Sequence, residues 1–253
     1  MTKYITLISL TLVLICCGDF VKAGESPSFL LLHEDAKYRL DSLNRIESDS
    51  NLVERIILMH NLGFNGDKKL REKAEKLVKD KFKKGKRAPL VEAYDGSLRM
   101  IKVKHKNTAS KIFGSFFGNS PYKEARNGFN IISEALERDP NNINIRFVRA
   151  SAAVESAEHL PELLVHADID ILWLESNIDR TDAASVFFFY LTKAKFYYKS
   201  ALEEKKILIK VVIIEKAIEL IDQAGEFVCS EVFCREHLLW QKKIEILYQT
   251  GSK

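Results

Sequence analysis

Apolar residues recur at spacings of three and four along nearly the whole chain, and no segment alternates apolar with polar residues between hairpin turn residues. The first period belongs to one face of an α-helix and the second to a strand, so the chain reads as all-α. Ala36, Tyr38, Leu40, Leu43 and Ile46 mark a first helix, and Leu52, Val53, Ile56, Ile57 and His60 a second, ended by Gly63 and Gly66. Leu70, Ala74, Leu77, Val78 and Phe82 form a third stripe, closed by Gly85, and Pro89 opens a fourth helix that runs to about His105. Ser120 and Pro121 have the form of an N-cap followed by proline at the first helical position, and Asp139-Pro140 ends that fifth helix. Residues 143–156, 161–176, 182–200, 203–223 and 231–248 complete a set of about ten helices, mostly antiparallel neighbours joined by short turns. Two segments, 186–191 and 207–214, are apolar on more than one face. Such helices sit between other helices, so both are expected at the centre of the C-terminal half. The longest irregular stretch, 107–120, holds Phe113, Phe116 and Phe117 among glycines, either tucked onto the core or exposed as a contact.

Composition sets the outer bounds. With 253 residues, 46% hydrophobic and 29% charged, and only 11 Gly and 5 Pro, the chain is too apolar for disorder and long enough for a core without staples. The formal net charge of +4 is mild. Beyond the first twenty residues no apolar run approaches the roughly eighteen residues of a bilayer span, which excludes a multi-pass membrane protein.

The first residues read as an address. Met1-Thr2-Lys3 supplies a positive start, and residues 5–17 are an uncharged apolar run of signal-peptide length. Two exits compete. Val21-Lys22-Ala23 before Gly24 suits a signal peptidase, leaving residues 24–253 as one helical domain after a 1–23 signal. Leu14-Ile15-Cys16-Cys17 resembles a bacterial lipobox, in which Cys17 becomes an acylated N-terminus; Cys16 stands where Gly, Ala or Ser is usual. Both exits export the chain, to the periplasm or to a membrane-anchored lipoprotein position; an uncleaved anchor is the third alternative. Export permits a disulfide between Cys229 and Cys234. Five apart on one continuous helix they would point about 140° away from each other, so a bridge needs a loop or helix start between them; otherwise they are buried free thiols. With Cys16 and Cys17 in the signal segment, this C-x4-C pair has no other Cys partner and is no zinc site.

Helical pairs recur at intervals that suggest stacking. Gly128 and Ala135 lie seven apart with Ile132 between them, and Pro140 follows five after Ala135. This spacing resembles the second half of a tetratricopeptide repeat, with PLVEAYDGSL at 89–98 similar in kind to its first half, although the 107–120 insertion breaks the standard length. Residues 143–156 with 160–176, and 182–200 with 203–223, form weaker pairs. The combination of PLVEAYDGS with DPNNINIRFVRA also resembles small exported bacterial TPR-like proteins of undefined function, over residues 88–179. The resemblance implies a right-handed stack of antiparallel helical hairpins whose concave face binds an extended peptide or a partner's helix.

Little in the sequence points to chemistry. GxSxG, Walker and dinucleotide motifs are absent, and Ser97 has no base in its vicinity along the chain; Gly96 beside it suits close helix packing. His159, Glu162 and His166 share a helix face, with Asp168 and Asp170 just beyond, but without HExxH or paired ExxH helices this reads as a polar face rather than a metal site. Residues 68–87 carry eleven basic and three acidic side chains, an ordinary solvated helix face, with anionic lipid headgroups as the rival partner and nucleic acid disfavoured for an exported chain. Tyr94, Arg146 and Arg149 are the polar groups expected to matter most. Arg146 and Arg149, three apart, share a face, where they either clamp a carboxylate or hold the preceding helix C-terminus. The expectation is therefore a non-catalytic protein–protein interaction module of the cell envelope, without cofactor or metal. The alternative is a ligand- or peptide-binding accessory lipoprotein of an envelope transport or assembly system.

Overall fold

The computed structural model describes residues 33–46, 51–64, 67–81, 88–104, 121–227 and 231–251, and among them the chain is helical with turns between, without a strand. Ten α-helices follow in order: α1 His33–Arg45, α2 Leu52–Phe64, α3 Lys68–Lys81, α4 Pro89–Lys104, α5 Pro121–Arg138, α6 Ile143–Ser156, α7 Leu164–Asn177, α8 Ala183–Glu203, α9 Ile207–Gly225 and α10 Glu231–Gly251. A 3-10 turn, Pro161–Leu163, leads into α7. Local chemistry sets several starts. Asp67 accepts the Leu70 amide (3.1 Å) ahead of α3. Asn142 accepts from the amides of Asn144 and Ile145, and Asp182 from that of Ala184, each satisfying first-turn donors that have no intrahelical partner. Prolines occupy the first position of α4 and α5, where a missing N–H costs nothing. The signal segment with Cys17, the 107–120 stretch, residues 82–87 and Cys229 lie outside the described residues.

Four antiparallel hairpins, α2/α3, α4/α5, α6/α7 and α8/α9, succeed one another, with α1 against α2 and α10 against α9. Alternate helices also touch in turn, α2 to α4, α4 to α6, α6 to α8 and α8 to α10, which makes them an inner row. The row is deeply covered. No residue of α6 is exposed, nor any residue of α8 from Ala184 to Ala201. Core side chains run without a break along the stack: Phe196 packs against both the N-terminal and the central apolar clusters, and Phe188, Tyr190 and Phe227 against both the central and the C-terminal ones.

The tightest joint is α4 on α5. A Cβ placed on Gly96 would lie 2.4 Å from the Gly128 carbonyl oxygen, and one on Gly128 would lie 2.6 Å from that of Gly96. The two backbones therefore meet with no room for a side chain, and Ile132 and Ala135 are fully buried on the same helix.

Three expectations change. Gly63 does not end the second helix but lies within it, where a Cβ would come 2.8 Å from that of Arg71 on α3. The ninth helix begins at Ile207 rather than Glu203, because Glu204 turns its carboxylate onto the Lys206 amide (2.8 Å) and breaks the run. Its first turns are not packed between helices: Ile207, Leu208 and Val212 are 59, 84 and 64% exposed. The reason is length. Helix α10 ends with Gly251 beside Lys210, so α9 projects past its neighbour.

Candidate functional site on the inner row of helices

Lys195 and Lys199 stand one turn apart on α8 and point to flanking members of the inner row. The Lys195 ammonium lies 3.6 Å from Glu155 of α6 and 3.0 Å from Glu236 of α10, so three alternate helices are tied by one cation. Lys199 reaches Glu158, just after α6, at 3.7 Å. Glu236 also accepts from the Trp240 indole N–H (3.1 Å), one turn along α10. The Trp240 ring has Lys195 at 4.7 Å and Lys243 at 4.2 Å from its centroid, and Tyr198 meets it edge-on at 5.6 Å. Burial, then the charge of Glu158, raises the Tyr198 phenol above its ordinary pKa. The result is a largely covered lattice of alternating charge, with the Tyr198 ring partly exposed at its edge and the Trp240 ring buried beneath it. Such a surface offers hydrogen bonds and the Tyr198 ring to an extended polypeptide.

Arg146 and Arg149 are brought together, and what they hold is internal. Asp170 of α7 is fully buried between them: Arg146 donates to Oδ1 (3.0 Å), and Arg149 donates to both Oδ2 (2.7 Å) and Oδ1 (2.8 Å). Arg146 also donates to the Pro140 carbonyl in the turn after α5 (3.0 and 2.7 Å) and lies over the Trp173 ring at 4.2 Å. Both roles left open by the sequence are thus realised at once. The clamped carboxylate belongs to the next helix of the same hairpin, which makes the pair an architectural joint between α5, α6 and α7 rather than a ligand clamp.

Tyr94 is buried in the α2–α4 joint, edge-on to His60 with centroids 4.8 Å apart, and burial pushes its phenol well above the ordinary range. Ser97, one turn along, has the base that the sequence did not reveal. His60 Nε2 lies 2.8 Å from Ser97 Oγ and Nδ1 lies 2.9 Å from Asn61 Oδ1. Desolvation lowers the His60 pKa to about 4, the Asn61 bond opposing it, so the ring is neutral at pH 7. With the Asn61 oxygen able only to accept, Nδ1 carries the proton and Nε2 accepts from the Ser97 hydroxyl. A hydroxyl, an imidazole and an amide in line have the outline of a nucleophile and its base, but Ser97 is 3% and His60 6% exposed. A nucleophile needs an approach for its substrate, and these groups instead satisfy one another inside the stack.

The His159, Glu162, His166 face is turned toward α5. Arg126 donates twice to Glu162 (3.1 and 2.7 Å), holding its carboxyl below the usual range; the rings of His159 and His166 lie against Tyr122 and Phe129. Among the described residues no group of three His, Cys, Asp or Glu could hold a metal ion. On α3, Lys68, Lys69, Lys73, Lys76 and Lys79 are exposed, with Ala74 and Val78 buried behind them, a solvated amphipathic helix. Cys234 lies half-buried on α10 with no disulfide among the described residues, and its candidate partner Cys229 lies outside them. Comparison with protein-family models, with curated proteins and with solved structures found no match to this chain.

Proposed function

We propose that the chain is a TPR-like interaction module, non-catalytic, that is exported to the bacterial envelope and takes a peptide or helix of a partner protein along its inner row. The observation that carries this reading is the Glu155–Lys195–Glu236 ladder with Tyr198 and Trp240 beside it, because it sits where alternate helices of successive hairpins run side by side. The glycine crossing of Gly96 with Gly128, followed by buried Ala135, supports the same repeat architecture. A photo-crosslinking amino acid at position 198 tests it in intact cells. One protein should be captured reproducibly, and Glu158→Lys with Lys243→Glu, both at exposed positions, should reduce that capture at least fivefold without changing the melting curve. Capture that is absent, or indifferent to the charge reversal, rejects the site. Export is read from the mature N-terminus by mass spectrometry: Gly24 marks the soluble exit, an acylated Cys17 the lipoprotein, and an intact Met1 refutes both.

A further inference from the structure

Beyond the turn that joins α8 to α9, the first turn of α9 is exposed on several sides at once. Ile207, Leu208 and Ile209 are 59, 84 and 43% exposed, Val212 one turn on is 64% exposed, and Leu202 at the end of α8 is 42% exposed. Three consecutive helical positions point in directions about 100° apart, so together they sweep well over half of the helix circumference. A docking helix covers one stripe of about 100° and would leave the rest in water. What covers a helix tip from all sides is immersion.

The charges around the tip select the medium. Exposed Lys205 and Lys206 immediately precede the apolar turn, and Lys210 follows it with its stem against Gly251. Glu204, the acid nearest in sequence, is turned onto the Lys206 amide. From Leu202 to Val212 the chain carries three lysines against two acids. Among the other exposed apolar residues, the stripe of Val165, Ile169 and Leu172 on α7 differs on both counts: it occupies one face only, and Asp168 and Glu175 lie along it.

We propose that the α8–α9 turn is a membrane-contact tip: Ile207, Leu208, Ile209 and Val212 enter the interfacial layer of an anionic bilayer while Lys205 and Lys206 stand at the phosphate level. No helix among the described residues is long and apolar enough to cross a membrane, and the tip needs no crossing. It gives the stack a second point of attachment besides any N-terminal lipid. This inference is independent of what the inner row binds.

The test uses the full chain with phosphatidylcholine vesicles containing or lacking phosphatidylglycerol. In the Leu208→Trp variant, whose new indole occupies the most exposed apolar position, emission should shift to the blue with phosphatidylglycerol vesicles and be quenched by lipids brominated in the acyl chain. The same titration of the native chain, with Trp173 and Trp240 only, supplies the background. Removing both tip lysines, Lys205→Ser with Lys206→Ser, should weaken vesicle partitioning about 25-fold at low salt, about fivefold for each. Leu208→Asp should weaken it at least tenfold while leaving the circular dichroism unchanged. The N-terminal apolar segment is common to all variants, so it cannot produce these differences. An indole at 208 that stays in water, or partitioning indifferent to Leu208→Asp, overturns the proposal. So does a Leu208→Asp variant whose only change is loss of self-association in gel filtration, which would make the tip an interface between copies.

Discussion

Gly96→Ala pits two effects against each other, and the structure says which wins. In a helix interior, alanine is favoured over glycine by about 1 kcal/mol, so propensity alone predicts a more stable protein. The new methyl would lie 2.4 Å from the Gly128 carbonyl oxygen and 2.8 Å from the Ile132 side chain, where ordinary contact begins at 3.4 Å. The oxygen belongs to a helical backbone and cannot swing aside, so α4 and α5 must separate by about an ångström. Overpacking of this kind costs about 1–3 kcal/mol, and here the displacement is passed to Phe129, Ile132 and Ala135 along the same joint, which places the cost at the upper end. The expected net loss is about 2 kcal/mol, a fall in melting temperature of about 4–8 °C for a chain of this size. Gly251→Ala is the control: its methyl would meet Ile214 at 3.4 Å, ordinary contact, so it should be neutral or slightly stabilising. Thermal melts followed by circular dichroism at 222 nm read both. A Gly96→Ala protein as stable as the native chain would refute the glycine crossing, and with it the account of how α4 and α5 close the second hairpin.

Asp170→Ala removes the one carboxylate held by Arg146 and Arg149 and leaves two largely buried guanidinium groups together; the expected cost is about 3–5 kcal/mol in urea denaturation, and a change below 1 kcal/mol would show that solvent screens the pair. Replacing Asp170, Arg146 and Arg149 together with Leu, Met and Met should cost far less than Asp170→Ala alone, since no charge is then stranded. His60 makes stability depend on pH. Its folded pKa, about 4, is below the unfolded value near 6.5, so the unfolded chain binds the extra proton between them, and stability falls as pH drops from about 6.5 to about 4 before levelling. The loss accumulates to about 3 kcal/mol, and His60→Gln should remove that part of the slope in denaturation curves at pH 7, 6 and 5.

Periodicity was a sound guide wherever a stripe has a neighbour to face. Most helix ends agree within a few residues, and a glycine in mid-helix that no turn explains marked Gly96 for close packing, though not Gly128 as its partner. The same inference failed at residues 207–212. Apolar character on every side means burial only if something lies on every side, and α10 stops at Gly251, level with Lys210. The end at Glu203 was illegible for another reason: no Gly or Pro marks it, only the reach of Glu204 back to the chain two residues on. Spacing placed Arg146 and Arg149 on one face but could not name Asp170, because the partner comes from the next helix, 21 residues beyond Arg149. His60 and Ser97 are 37 residues apart, and nothing local to either announces the other.

The polar contacts that the sequence could not supply fall at the joints between helices. His60 with Ser97 joins α2 to α4, Arg138 with Glu92 joins α5 to α4, and Asp170 with its two arginines joins α7 to α6. Lys193 with Glu175 joins α8 to α7, and Lys195 joins α8 to α6 and α10. Apolar stripes alone leave the register of two helices loose, because i, i+3 and i+4 ridges fit the next set of grooves one turn along nearly as well. A buried or half-buried polar pair removes that freedom: a one-turn slip of about 5 Å would strand Asp170 or His60 without partners. Surface exchange between exposed Lys and Glu could not do this, since water replaces either partner at little cost. In a stack where each hairpin touches only its neighbours, an error at one joint is not corrected by distant contacts, so register has to be written at every joint.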